Sequence, residues 1–305
     1  MELISIIVPT YKRSIMISKT IKSLLSQTYT NVEIIIVDDN NPNSIERSKT
    51  EGVLKEYIGY NNVKYIKHSE NKGGSEARNT GIKHASGKYI TFLDDDDEYY
   101  KDKVEKQYIF YKKTFEKDDG FINCKVNVFR NDKFVRKSKS KVDYDNLLFS
   151  VVSEKILGTP TLFIPKYQLE SVGGFKILSK GQEWFLCLKL IEAGYKFKSM
   201  KEALVRVNIH KFDSISNGQN SVEKKSEGLT TIYEIQKNYF EYFNQKQIRE
   251  INYNYTMAMA ACYLNSNKKE SLKYFFKSFL NYRFDRKTLK YMVKFFLNYL
   301  QKSNI

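Results

Sequence analysis

The chain has 305 residues, enough for one large domain or a domain with an extension, and its 41% hydrophobic content supports a packed core. No run reaches the length of a membrane-spanning helix, and three widely spaced cysteines (Cys124, Cys187, Cys262) exclude a zinc spacing and a disulfide framework. A net charge of +16 favours an anionic partner: nucleic acid, a membrane surface or a phosphorylated substrate.

The first hundred residues alternate between strand and helix patterns. Leu3 to Val8 reads as a first strand, stopped by Pro9, with no basic leader before it. Ile17, Ile21, Leu24 and Leu25 recur at helical spacing. Val32 to Val37 is a second strand ending in Asp38-Asp39, and Asn40 to Ser44 is turn chemistry before a helix through Tyr57. Val63 to Lys67 is a third strand, Ser75 to His84 a helix opened by Gly73-Gly74, and Lys88 to Leu93 a fourth strand. Strands separated by helices imply an α/β domain with a parallel sheet and right-handed crossovers. Beyond Lys101 come a helix to about Lys117, a strand pair Phe121–Phe129 and Lys133–Lys137, and a short strand Thr161–Ile164 followed by a helix to Val172. A helix through Trp184 ends at Gly194, a last strand covers Ala203–Ile209, and helices follow from about Ser221.

Asp94-Asp95-Asp96-Asp97 closes the fourth strand. Consecutive carboxylates repel, and an apolar run before them sets their base near the interior, so a cation is needed. A divalent metal with a phosphate-bearing substrate meets that need; a solvated acidic turn is the plain alternative. Ligands of parallel sheets bind outside the carboxyl ends of the strands. Three such ends converge here: Pro9-Thr10-Tyr11, Asp38-Asp39 and Asp94 to Asp97.

Taken in order, the motifs resemble the family-two glycosyltransferases of the GT-A fold over residues 1–217. Ser5-Ile6-Ile7-Val8-Pro9-Thr10-Tyr11, Glu33 to Asp39, Asn71 to Ile82, Phe92 to Asp97, Val172 to Phe175 and Gly181 to Trp184 carry the resemblance. It implies a Rossmann-like, mixed but mostly parallel sheet flanked by helices. Residues 1–100 would be its nucleotide-sugar half and 101–217 its acceptor-side half, with a helical extension over 218–305.

The resemblance also assigns roles. Pro9, Thr10 and Tyr11 would frame the base, and Asp39 would read the imide edge of uracil. Arg78, Asp94 and Asp95 would lie against the nucleotide, Asp94 beside the ribose. Asp96 would bind Mn²⁺ or Mg²⁺, with His210 meeting the metal or the diphosphate. Glu183 stands where the family usually has Asp and would act as the base of an inverting transfer; Trp184 would wall the acceptor pocket. Each has a plainer reading: Asp39 as a turn former, Tyr11 and Trp184 as packing, Arg78 in a helix-surface salt bridge, Glu183 as a helix N-terminal carboxylate. His68 and His84 read as surface residues.

The function that the resemblance implies is transfer of a sugar, from a UDP-sugar in the family pattern, to a glycan or lipid-linked glycan acceptor, in the cytoplasm. Clustered carboxylates with Mg²⁺ also serve nucleotidyl or phosphoryl transfer. No nucleic-acid recognition motif accompanies the basic charge, so no nucleic-acid partner is expected. Lys268 to Lys302 holds ten basic residues against two acidic ones, half the net charge. Tyr274, Phe275, Phe276, Phe279, Leu280, Leu289, Val293, Phe296, Leu297 and Leu300 recur there at helical intervals. That pattern suits either peripheral contact with anionic lipid or a cap packed on the catalytic domain.

Overall fold

A computed structural model describes residues 1–138, 142–153, 158–209 and 222–281. The chain divides into two units. One holds described residues 1–151, 158–177 and 182–209; the other holds 152–153, 178–181 and 222–281.

The first unit opens with β1 (Ile4–Thr10), α1 (Ser14–Leu25), β2 (Val32–Asp38), α2 (Ile45–Leu54), β3 (Val63–Lys67), α3 (Gly74–His84) and β4 (Tyr89–Phe92). It continues with β5 (Glu98–Tyr99), α4 (Lys103–Thr114), β6 (Gly120–Arg130), β7 (Lys133–Lys137), α5 (Leu147–Ser153), β8 (Leu162–Pro165), α6 (Lys166–Ser171), α7 (Gln182–Glu192) and β9 (Lys196–Ile209). The strands form one sheet in the order β3-β2-β1-β4-β8-β6-β9-β5, with β7 paired to β6. β3, β2, β1 and β4 are parallel, as are β6 and β9; β8, β5 and β7 join antiparallel.

Both faces of the central strands are covered, which is why they read as continuous apolar runs. Ile4, Ile6 and Val8 belong to one core with Ile17, Ile21 and Leu24 of α1. On the other face α3 approaches β1 so closely that a Cβ at Gly81 would strike Ile7. Parallel alignment of β1, β2 and β4 brings their carboxyl ends to one edge, where β1 reaches Thr10 opposite Asp38.

Three expectations are corrected. Pro9 does not stop β1: the strand runs through it, opposite Val37. The ladder to β4 ends at Ile7, so Pro9 sits where a missing N–H is tolerated. The last strand begins at Lys196, seven residues before Ala203, because Phe197 and Met200 are buried between exposed polar neighbours. β5 and α5 were not expected at all; both are short.

The second unit contains α8 (Val222–Lys237), α9 (Gln245–Tyr263) and α10 (Lys268–Asn281). An Asn244–Gln247 capping box starts α9. Tyr233 and Tyr255 stack at 4.0 Å, and Ala260 and Phe275 form the packed contact of α9 with α10. Leu289, Val293, Phe296, Leu297 and Leu300 lie outside the described residues.

Candidate active site

The carboxyl edge of β1, β2 and β4 collects carboxylates and the cations that answer them. Asp38 is fully buried at the end of β2. It accepts from Tyr65 Oη at 2.6 Å and from the Asn40 backbone and side-chain N–H groups at 2.9 and 2.8 Å. Arg47 Nε lies 3.1 Å from Asp38 Oδ2, an ion pair without hydrogen-bond geometry. The same guanidinium donates to the carbonyls of Asp38, Asn40 and His68, locking the β2 and β3 ends together.

Asp39 is also buried, 2% exposed. Its Oδ1 accepts from His68 Nδ1 at 2.7 Å and Lys72 N at 2.8 Å; its Oδ2 accepts from Asn71 Nδ2 at 2.9 Å and Gly73 N at 2.8 Å. A carboxylate offers about four lone-pair sites, and all are engaged. Asp39 is therefore the clasp of the 71–73 loop in this structure, with no free site for the uracil edge. His68 is correspondingly no surface residue. It is 6% exposed, and its Nε2 lies within hydrogen-bond distance of the Thr80 hydroxyl, 2.9 Å away. His84 is exposed, as expected.

The four aspartates are not equivalent. Asp95 and Asp97 are each 4% exposed, whereas Asp94 and Asp96 side chains keep 34% and 14% of their surface. Asp95 accepts from Thr10 Oγ1 at 2.8 Å and Tyr11 N at 3.3 Å. It is paired with Arg13 at 3.1 Å, and Arg13 also reaches Asp96 at 2.7 Å. Burial pushes the Asp95 carboxyl up to about 7, against the pull of Arg13 and the Thr10 hydroxyl. Burial, with Asp96 and Asp94 nearby, raises Asp97 well above the carboxylate range. Thr20 holds the Asp95 and Asp97 carbonyls at 3.0 and 2.8 Å. From β9, Asn208 N donates to Asp97 Oδ1 and Asn208 Nδ2 to the Asp96 carbonyl.

The expected donor-side residues Thr10 and Asp95 face each other in the interior, and together they tie the β1 loop to the aspartate run. Tyr11, partly exposed with Lys12 Nζ 5.1 Å over its ring, keeps an accessible face. Arg78 of α3 meets Asp94 at 2.6 Å. Its Nε is buried with no hydrogen-bond partner among the described residues, and its guanidinium lies 5.7 Å from the Phe175 ring. Asn79 bonds both the Phe175 N–H and carbonyl at 2.8 Å, and a Cβ at Gly174, where φ is +69°, would strike Asn79.

Glu183 lies half-buried in the first turn of α7. Among the described residues it makes no hydrogen bond or ion pair to the aspartate run. Trp184 is 3% exposed and donates Nε1–H to the Val151 carbonyl at 2.7 Å, the contacts of a packed core side chain. His210 lies outside the described residues. Sequence reasoning missed Arg13, Arg47 and Asn208. Arg13 had a signal, because four carboxylates demand a cation and it stands three residues past Thr10; Arg47 and Asn208 had none.

Among the described residues no three His, Cys, Asp or Glu side chains form a closed metal cage. Asp94 and Asp96 nevertheless fit a hard divalent ion that takes one or two carboxylates and completes its shell with water and phosphate oxygens.

Behind the run, Lys103 is fully buried. Its Nζ donates to Thr91 Oγ1 and lies 3.7 Å from the Tyr99 ring centroid. Desolvation lowers its pKa to about 7.

Residues 5–156 match the model of glycosyl transferase family 2. An uncharacterised glycosyltransferase of Rickettsia typhi is 30% identical over 234 residues, 73% of this chain and 69% of the relative. The Escherichia coli UDP-Glc:alpha-D-GlcNAc-diphosphoundecaprenol beta-1,3-glucosyltransferase WfgD is 31% identical over 170 residues, 53% of this chain and 64% of that protein. The chain spans only 26% and 17% of the length of relatives in Rickettsia conorii and Rickettsia felis. Among solved structures, a Staphylococcus aureus TarS chain of residues 1–349 in complex with UDP-GlcNAc has a TM-score of 0.61 at 19% identity, covering 92% of this chain and 89% of that one.

Proposed function

This chain belongs to glycosyl transferase family 2, with the GT-A fold, and from that premise we propose that it moves a sugar from a UDP-sugar to a hydroxyl of a glycan or lipid-linked glycan, with inversion and with Mn²⁺ or Mg²⁺. One observation carries the reading. At the carboxyl edge, Arg78 pairs with Asp94 and Arg13 with Asp96, and both carboxylates keep exposed surface. Such pairs can exchange partners: the guanidinium forks turn to a diphosphate and the carboxylates to a cation. The UDP-GlcNAc in TarS and the UDP-Glc in the name of WfgD support a uridine donor.

In this scheme Tyr11 lies against the base, and donor entry loosens the 71–73 loop so that Asp39 can share its carboxylate with the imide edge. The acceptor oxygen attacks the anomeric carbon from the face opposite the diphosphate. Its proton passes to a Glu183 carboxylate oxygen, while the bond from the anomeric carbon to the diphosphate breaks and its electron pair leaves with UDP. Arg78 and Arg13 meet the charge that develops on the leaving group. A divalent ion held through Asp96 and Asp94 would add Lewis-acid stabilisation there.

No described helix is long and apolar enough to cross a membrane. A cytoplasmic location with peripheral lipid contact is part of the same proposal. The exposed face of α10 carries Lys269, Lys273 and Lys277 beside Phe276, 58% exposed, a composition suited to anionic headgroups.

The test is incubation with UDP-, GDP- and TDP-sugars, Mn²⁺ and candidate acceptors. Release of UDP with a glycosylated product supports the reading. Release of pyrophosphate or a nucleoside monophosphate favours nucleotidyl or phosphoryl transfer and overturns it.

A further inference from the structure

A cleft of about 290 Å³ opens beside Asp96, and neither Asp39 nor Arg78 lines it. Lys19 of α1, Glu98 of β5, Asn208 of β9 and the turn residues Asn131 and Asp132 line it. That turn joins β6 to β7, and both of its residues have positive φ, 49° and 58°, as a two-residue type I′ hairpin needs.

The cleft wall continues onto the hairpin through Arg206. Its guanidinium lies 4.1 Å from the Phe129 ring and is paired with Glu98 and Asp132. Phe129 in turn meets Phe134 edge-on at 5.7 Å, opposite it in the β6–β7 ladder. Phe134 is 59% exposed and Val135 46%. Every residue of β7 is exposed, and among the described residues β7 pairs only with β6. Arg130, Lys133, Arg136 and Lys137 make this edge basic; its one acid, Asp132, is taken by Arg206. Lysines guarding an edge strand against self-association would explain the charge. They do not explain a large exposed ring, which such an edge normally avoids.

We propose that the cleft at Asp96 and the β6–β7 hairpin form the acceptor track, and that the acceptor is an acidic saccharide chain. The inference rests on the transferase reading of the Asp96 site and names its acceptor class. An aromatic ring offers a flat apolar surface to the C–H face of a sugar, and Arg136 offers a planar fork to an acid group. A five-residue strand is about 17 Å long, room for several linked rings. Lys19 and Asn208 then meet the end of the chain inside the cleft, next to the carboxylate assigned to the metal. Tyr11, Asp39 and Arg78 do not line the cleft, and Asp96 is the residue at which the acceptor track meets the donor site.

The test uses the full chain and three probes: oligogalacturonate, a neutral gluco-oligosaccharide of equal length, and inorganic polyphosphate. Phe134→Ala and the pair Arg136→Gln/Lys137→Gln are compared with Lys113→Gln/Lys117→Gln, which removes two charges from an exposed stretch elsewhere. We expect oligogalacturonate to bind more tightly than the neutral chain. Both hairpin variants should weaken it at least fivefold and the Lys113/Lys117 pair should leave it unchanged. Phe134→Ala should spare polyphosphate. Equal binding by the hairpin variants and the parent overturns the proposal. So does an equal loss in the Lys113/Lys117 control, or a Phe134→Ala loss that polyphosphate shares. UDP-sugar protection against thermal unfolding is read in every protein. Retained protection shows that the hairpin variants are folded. Its absence from the parent counts against the transferase reading, separately from the saccharide result.

Discussion

Arg13 holds Asp96 at 2.7 Å while also gripping the buried Asp95 at 3.1 Å. The cation demanded by four adjacent carboxylates is therefore supplied first by the chain itself. A divalent ion arriving at Asp96 meets a guanidinium already there.

Arg13→Ala removes the partner of a buried carboxylate. Urea unfolding should show a loss of about 3 kcal/mol, the usual cost of leaving one member of such a pair alone. The same variant should bind Mn²⁺ more tightly by calorimetry in the absence of nucleotide, because Asp96 is released. Weaker Mn²⁺ binding would show that Arg13 supports the ion site instead of competing for it.

Asp96→Ala should abolish metal-stimulated turnover. UDP binding measured without metal should persist, because Tyr11 and Arg78 are untouched. Near-normal activity with Mn²⁺ would remove Asp96 from the metal assignment.

Asp39→Ala leaves the donors from His68, Asn71, Lys72 and Gly73 without their acceptor. A destabilisation of about 3 kcal/mol follows from unsatisfied buried groups. Amide exchange should rise at residues 71–73 first. Unchanged protection there would show that the clasp is not what orders the loop.

Glu183→Gln keeps the shape of the side chain and removes its ability to take a proton. Transfer should fall by about 10²–10⁴-fold with donor affinity preserved, the range for loss of a general base. Transfer at the parental rate would require another base.

Lys103 gives a pH signature. Its folded pKa, about 7, lies below the ordinary 10.5, so between those values the unfolded chain binds the extra proton. Stability should then rise with pH across pH 7 to 10.5, by up to about 1.4 kcal/mol per unit. Lys103→Met lacks this slope and should gain most over the parent below pH 7, where the parent buries a charged amine. Parallel stability curves for the two proteins would refute the depressed pKa. The groups facing Lys103 are the Thr91 hydroxyl, the Tyr99 ring and Cys124, and burial raises both the Tyr99 and Cys124 pKa values.

Much of the first hundred residues' architecture was legible from residue order. The runs Ile4–Val8 and Val32–Val37 are apolar because both sheet faces are covered, and that pattern is local. β9 was half legible, since Lys196, Lys198, Lys201 and Glu202 mask the buried Phe197 and Met200 between them. At the site, the fold brings Arg78 to Asp94 and buries Thr10, Asp95 and Trp184, residues whose expected roles lie at a nucleotide or an acceptor. Type and spacing do not say which way a side chain points at the end of a strand.

Residue order is enough to specify a parallel α/β sheet with acidic, basic and aromatic groups at its carboxyl edge, because period and punctuation are properties of neighbouring residues. It took the folded arrangement to show that Arg13 answers Asp95 and Asp96 and that His68 and the 71–73 loop close on Asp39. The same arrangement decided that Asn208 steadies the aspartate run from more than a hundred residues away. Those pairings depend on strand order and on which polar groups burial forces to find partners, and neither is written in any short stretch of chain.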